Sequence, residues 1–436
     1  MKELISNISN FFYRDEDKNW ILTIFWNSLY IAFFLLPLGI KLPTPFFVLA
    51  IVLGVLHIFK SKKEFITDNK ALLLFPLYFV VLTLGLLYTD NIYDGIKLLQ
   101  RSLSLLLFPI IFLFVKEDAS AVRKLFEFLL VGLLFSFFIN LALGIQSTLE
   151  AIKRGIIIET IDSIELLETV ITGWDFFIRE EFSRLVNSNY VSIYILLVLS
   201  FYLKRKLASR LQLLIILILF TYLFLLASKW AYLALTIISL ILIFNIGDRN
   251  RRYTMFVIFF LAVLVFVDNP RMSVFYNRVR NFTNIESYEA MSSEKSRLLI
   301  WDACIKLIGE SPFLGYGTGD ANDILLREYA TLGYEHNLKR KYNAHNQFFQ
   351  TWLQTGVLGF IVLAAIFVIL GRRMRRSPNE LAVFLILLIS LLFESMLVRF
   401  NGIVFFSIII PLLLKKRSIL SSRIIRNEPI LGNNSK

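Results

Sequence analysis

Cysteine, histidine and charge are all scarce in this 436-residue chain, and each scarcity closes off a class of chemistry. The single cysteine, Cys304, rules out an intrachain disulfide and leaves no thiolate cluster for a metal. The three histidines, His57, His336 and His345, form no His-x-x-His pair and have no cysteine beside them, which argues against a zinc site. No Gly-x-Ser-x-Gly turn is present either, so covalent hydrolase chemistry has no support. Charged residues make up only 18% of the chain against 57% hydrophobic, and the apolar residues gather in long runs. That excludes an ordinary soluble domain and points to a polytopic membrane protein.

Apolar runs of about twenty residues, shorter where Pro or Gly interrupts, predict roughly twelve spans. They fall near 20–40, 44–59, 71–88, 102–115, 125–144, 189–203, 211–227, 230–246, 253–268, 356–371, 380–398 and 401–414. The first run is too long for a signal-peptide core, lacks a small-residue cleavage site and follows the acidic Asp15, Glu16 and Asp17, so it is expected to stay in the membrane. The Asp-x-Asp pattern at 15 and 17 has no domain around it and reads as solvated charge.

The formal net charge of +13 is not a nucleic-acid signal. Its clusters, such as Lys60, Lys62 and Lys63, Lys204 to Lys206, and Arg372 to Arg376, all fall on one side of the predicted spans. This is the positive-inside pattern, and an even span count then puts both termini in the cytoplasm. Four regions follow: a bundle of about nine spans over 1–268 with an outer segment near 145–188, a large outer loop over 269–355, the last three transmembrane helices over 356–417, and a tail over 418–436.

The stretch 343–359 closes the large polar loop and runs straight into a span, so it belongs at the water–lipid boundary. Phe348, Phe349, Trp352 and Leu353 recur at helical spacing, and Asn343 is a fitting N-cap. His345 would then lie in the first helical turn, where free N–H groups favour an anion and a neutral imidazole. It is either an interfacial cap or a proton acceptor. Upstream, a helix is predicted over about 293–308, with Leu298, Trp301, Ile305 and Ile308 on one face and Arg297 on its edge. Arg297 either packs its stem there or binds an anion. The glycine run at 315, 317 and 319 lacks the Lys-Ser/Thr of a nucleotide loop, and suits close backbone approach or a tight turn, with backbone N–H groups able to form a weak anion nest. A helix is expected over 320–329 and a mobile basic loop over 335–342.

Other cations stand on the same outer side. Arg184 breaks the positive-inside pattern, Arg271, Arg278 and Arg280 open the large loop, and Lys229 lies at the turn between the spans at 211–227 and 230–246. Position alone leaves Lys229 open between a snorkelling lysine and the partner of a buried anion. Glu394 and Arg399 suggest an ion pair near the end of a span. One histidine with several cations suits a reaction whose nucleophile is a hydroxyl and whose leaving group is a diphosphate. Sugar transfer from a lipid diphosphate meets both demands. A transporter of the same lipid is the rival, but the spans lack midplane charges and the chain shows no repeated halves.

These residues resemble the O-antigen ligase and polymerase superfamily of bacterial envelopes. His345-Asn346, nine residues, then Gly356-Val-Leu-Gly359 looks like the ligase signature. Arg297-Leu-Leu-Ile-Trp301 and Pro312-Phe-Leu-Gly315-Tyr316-Gly317 are similar to elements of the same outer loop, as are Asn187 and Asn189 after Arg184. One departure is Ser228-Lys229, where the family commonly has Ser-Arg; Lys keeps the charge without the planar fork.

The resemblance implies an all-α polytopic protein of the inner membrane, with about twelve transmembrane helices and a largely helical periplasmic loop. It implies a metal-independent glycosyltransferase with no cofactor. The enzyme would move a glycan from undecaprenyl diphosphate to a sugar hydroxyl of lipid A-core, or to another carrier-linked glycan if it is a polymerase. His345 and Arg297 would be catalytic, with Arg184, Lys229, Asn187, Asn189, Asn346 and Tyr316 binding the diphosphate or glycan. Its partners would be those substrates and membrane lipids, with no nucleic acid.

Overall fold

The computed structural model describes residues 12–14, 19–60, 67–115, 119–158, 174–202, 210–267 and 293–415, and these contain helices and no strands. The acidic stretch at 15–17, the basic residues at 204–206, Arg271, Arg278, Arg280 and the tail from 418 lie outside the described residues. The longer helices up to the polar segment are α1 (Trp20–Leu35), α2 (Thr44–Lys60), α3 (Leu74–Leu84), α4 (Ile92–Phe114) and α5 (Ala119–Ile158). They continue as the short α6 (Arg179–Phe182), then α7 (Ser188–Tyr202), α8 (Arg210–Leu226), α9 (Lys229–Phe244) and α10 (Arg249–Val267). The polar segment holds α11 (Ser293–Glu310), α12 (Ala321–Thr331) and α13 (Glu335–Arg340), and the chain goes on through α14 (Gln347–Met374), α15 (Pro378–Phe393) and α16 (Phe400–Leu414).

Among the described residues each predicted span is largely helical, although the one predicted over 380–398 leaves the α-helix after Phe393. Among the described residues, five segments are long and apolar enough to cross a membrane: Trp20–Leu38, Asn69–Tyr88, Ile92–Phe114, Arg123–Glu150 and Gln347–Met374. Six shorter apolar helices accompany them. Local chemistry sets the helix starts. Asn91 caps α4 by accepting the Asp94 N–H, and Ser377 with Pro378 starts α15 in the manner of a capped, Pro-led first turn.

The chain divides into two compact units. The first comprises 1–27, 48–123 and 282–436. In it α4 packs on α3 and α16, and α14 packs on α3, α15 and α11. A buried polar chain crosses its apolar interior: the Tyr78 hydroxyl and Thr351 Oγ1 lie 2.8 Å apart, and Gln347 Nε2 donates to the same Thr351 oxygen at 3.1 Å. Polar groups in such surroundings persist because they satisfy one another.

The polar segment of this unit has its own small core. Ile300, Ala303, Cys304 and Leu307 of α11 meet Ala321, Leu325 and Tyr329 of α12, with Ala344 and Leu353 completing it. Each fully buried Ile or Leu there contributes about 1.5–3 kcal/mol. The buried stripe of α11 is therefore not the predicted one: Leu298 and Ile305 are 64% and 60% exposed. Two stripes of helical period run along this helix, 298/301/305/308 and 300/303/304/307, and the second, with small residues at 303 and 304, is the one buried against α12 and α14. The expected mobile loop at 335–342 is also corrected. It is helical as α13, tied to α11 by Asn337, whose side chain donates to the Ser296 carbonyl and accepts the Ser296 hydroxyl.

The second unit comprises 28–47 and 124–281. The Ser136 hydroxyl donates to the Pro37 carbonyl at 2.9 Å and meets the Tyr222 hydroxyl at 2.9 Å, while Asn140 Nδ2 donates to that hydroxyl at 3.0 Å. Gly132 lies against the Phe34 carbonyl, where a Cβ would come within 2.1 Å of the oxygen.

Candidate active site

The polypeptide enters α14 through a tight turn. Asn343 Oδ1 accepts the His345 N–H at 3.1 Å, and His345 takes φ 43°, in the left-handed region. The helix starts two residues later, where Asn346 Oδ1 accepts the N–H groups of Phe348 and Phe349 at 2.9 and 3.2 Å. The cap is thus Asn346, not Asn343, and His345 precedes the helix instead of sitting in its first turn. Both asparagines have capping chemistry, but the left-handed residue between them delays the helix. Asn346 also engages two of the amides that an anion would have used at this N-terminus.

The turn points His345 at a carboxylate. Its Nδ1 lies 3.2 and 3.3 Å from the two oxygens of Glu394, which follows the last residue of α15. Both side chains are largely buried, and no described residue hydrogen-bonds the imidazole Nε2. An Nδ1–H donated to the carboxylate leaves the Nε2 lone pair available as a base. The Tyr342 ring stands edge-on to the imidazole at 5.3 Å. Arg297 lies beside the same pair, its guanidinium 5.8 Å from the Phe393 ring centroid. Burial pushes the Glu394 carboxyl up. The hydrogen bond and charge interaction with His345, and the charges of Arg297 and Arg399, outweigh that and hold it below its ordinary value. The expected ion pair with Arg399 is corrected accordingly: the close partner of Glu394 is His345, and exposed Arg399 acts at longer range.

A buried amide fixes the two halves of this pair. Gln347 Oε1 accepts the Leu397 N–H at 2.7 Å, joining the residue after the cap to the turn after Glu394. Its other end joins the Thr351–Tyr78 chain.

The glycine run has a structural task. α14 is broken at Gly356, with φ 64° and ψ −158°, and a Cβ there would lie 2.0 Å from the Phe313 carbonyl oxygen. Across the break the Tyr316 N–H donates to the Leu353 carbonyl at 2.7 Å and the Val357 N–H to the Pro312 carbonyl at 3.0 Å. Gly315 and Gly317 also have positive φ and tight neighbours, so the expected close backbone approach is what they permit. The amides of residues 315, 316, 318 and 319 all bond to protein oxygens, which leaves little for an anion nest. The Tyr316 hydroxyl donates to the Leu307 carbonyl at 2.9 Å. Burial, then the Glu310 carboxylate, pushes that hydroxyl up to about 12.

Arg184, Asn187, Asn189 and Lys229 belong to the second unit. Exposed Arg184 donates through Nε to the Glu181 carbonyl at 2.7 Å. Asn187 Oδ1 accepts the Asn189 N–H at 3.0 Å at the start of α7. Asn189 Oδ1 accepts from the Ser228 hydroxyl at 3.3 Å and from Trp230 Nε1 at 3.0 Å, so it grips both sides of half-buried Lys229. The structure therefore gathers His345, Arg297 and Asn346 in one unit, and the asparagine pair with Lys229 in the other. Among the described residues, no group of three His, Cys, Asp or Glu is placed to hold a metal ion.

Helices able to cross a membrane, with a histidine–carboxylate pair where a polar segment meets a span, define a membrane-embedded protein with a polar site. Residues 213–364 match the family model described as O-antigen ligase, a stretch that holds Lys229, Arg297, Tyr316, His345 and Asn346. That segment is thus similar to the O-antigen ligase family, which the motifs of the chain also resemble, and the helices mark a membrane-embedded protein. No curated protein matches the chain.

Proposed function

We propose that the chain transfers a glycan from undecaprenyl diphosphate to a sugar hydroxyl of lipid A-core, at the periplasmic face of a bacterial inner membrane. The observation that carries the reading is the His345–Glu394 contact beside Arg297. It supplies an oriented base next to a cation, as a hydroxyl nucleophile and a diphosphate leaving group require. His345 Nε2 takes the acceptor hydroxyl proton as that oxygen bonds to the anomeric carbon. The bond from that carbon to the diphosphate oxygen breaks in the same displacement, and the diphosphate leaves with the electron pair. Arg297 stabilises the charge it acquires. Glu394 holds the imidazole in the useful tautomer and balances the proton it gains.

Arg184 and Lys229, with Asn187 and Asn189, are assigned to the lipid diphosphate or the glycan, and no metal or cofactor is invoked. Asn346 serves this reading through its cap, which sets where the helix begins and so where His345 stands. The left-handed His345 supports it too, since such a conformation costs about 1–3 kcal/mol and needs its surroundings to enforce it. Twelve spans, cytoplasmic termini and a periplasmic 269–355 segment complete the proposal.

The test is purified protein given carrier-linked glycan and acceptor. Wild type should form product, and His345→Ala should form none while inserting normally in the membrane. Near-normal transfer by that variant would refute the base assignment. A deletion strain identifies the acceptor: loss of all glycan on lipid A-core marks a ligase, and survival of one repeat unit marks a polymerase.

A further inference from the structure

Within the first unit, a cavity of about 360 Å³ lies between the turn after Gly85-Leu-Leu-Tyr88 and the segment from Tyr316 to Arg327. Its wall mixes the rings of Tyr88 and Tyr316 with the carboxylates of Asp90, Asp320 and Asp323 and the guanidinium of Arg327. We propose that this cavity is a glycan subsite that takes an uncharged, polyhydroxylated sugar residue. The identity of the ligand rests on the glycosyl-transfer reading; the cavity itself does not.

The wall is built without a ligand. Asp320 accepts the N–H groups of Asp90 and Asn91 at 2.7 Å each, and Asn91 Nδ2 donates to Asp323 at 2.7 Å. The Tyr88 hydroxyl donates to the Leu314 carbonyl at 2.7 Å. These bonds hold two tyrosines and a row of acceptors in place, so binding need not order them.

Two wall groups have no such task. The Asp90 carboxylate and the Arg327 guanidinium are exposed and make no hydrogen bond or ion pair among the described residues. One accepts and the other donates, which is what neighbouring sugar hydroxyls need, while tyrosine rings offer flat apolar surface to sugar C–H groups. The size lies at the lower end of small-molecule sites, about 300–1,000 Å³. Three carboxylates against one guanidinium repel phosphate, so the diphosphate of the donor is excluded here and an uncharged sugar is favoured.

The sugar could come from the carried glycan or from the acceptor, and two probes separate them. One is the repeat-unit oligosaccharide released by mild acid from the host's envelope glycan. The other is core oligosaccharide from a strain lacking repeats. Full-length protein in detergent is titrated with each by calorimetry, as wild type, as His345→Ala and as the double variant Asp90→Ala with Arg327→Ala.

Wild type and His345→Ala should bind one probe equally. The double variant should bind it at least about tenfold more weakly, as expected for two lost hydrogen bonds. Asp90→Asn and Arg327→Lys, which hardly change shape, should each weaken binding in the same direction if the double variant folds poorly. Absence of saturable binding of either probe to wild type, or undiminished binding by the variants, overturns the subsite. Binding unchanged in a fully active His345→Ala would leave the subsite standing and remove the base.

Discussion

The side-chain oxygen of Gln347 accepts the backbone N–H of Leu397 at 2.7 Å, across the gap between the turn that carries His345 and the turn that carries Glu394. Both groups are buried. Gln347→Leu would leave that N–H unpaired at a cost of about 1–3 kcal/mol, seen as a lower melting temperature. Transfer should fall about tenfold, which corresponds to a shift of ~1.4 kcal/mol in the barrier. If Gln347 acts by placing Glu394, its effect should shrink in a Glu394→Gln background. A double-mutant cycle on initial rates should then give an interaction above about 0.5 kcal/mol; additive losses would show that the amide only supports the fold.

Glu394 makes stability depend on pH in a defined direction. Its carboxyl is held below the ordinary value of 4.5 in the folded chain despite burial, so the unfolded chain binds its proton more tightly. The contribution is therefore present above the unfolded value and is lost as pH falls through the lower folded value. Wild type should lose melting temperature on acidification from about pH 6 towards pH 3, and Glu394→Gln should lose less over that range. Parallel curves for the two proteins would contradict the coupling.

Two glycines in the family-matched stretch should respond oppositely to alanine. Gly356 has φ 64° and its added Cβ would meet the Phe313 carbonyl, so Gly356→Ala combines backbone strain with a backbone clash. Strain alone is worth about 1–3 kcal/mol, and the Pro312–Val357 and Tyr316–Leu353 bonds across the break should weaken with it. Gly309 lies in α11 with open space around its Cβ position. There alanine should stabilise the helix by up to about 1 kcal/mol. Thermal melts of both variants in one detergent provide the comparison, and a neutral Gly356→Ala would refute the interlock.

The helices were legible because each is an apolar run bounded by turn residues, and such runs are local. His345 was legible as a lone histidine at a span boundary. Its partner was not: Glu394 is 49 residues away, and pairing it with the nearby Arg399 was the natural local choice. A carboxylate ending an apolar run was the available signal. Gln347 was missed because a glutamine inside a helix carries no pattern of its own. On α11, two stripes share one periodicity, and only the packing of α12 and α14 selects the one with Ala303 and Cys304. The choice of Asn343 over Asn346 as cap failed for a related reason, since the positive φ of His345 cannot be read from an asparagine spacing.

Cys304 allows the proposed outward placement of the polar segment to be tested. The thiol belongs to the buried core between α11 and α12, and burial pushes its pKa far up, so it is neither accessible nor ionised in the folded chain. Intact cells treated with a membrane-impermeant maleimide should leave the wild-type protein unlabelled, and denaturation should expose the one site. Asn322→Cys adds a thiol on the exposed side of α12. That variant should label in intact cells if the segment faces the periplasm, and only after permeabilisation if it faces the cytoplasm. The second outcome would remove His345 from the compartment in which the proposed acceptor hydroxyl is presented.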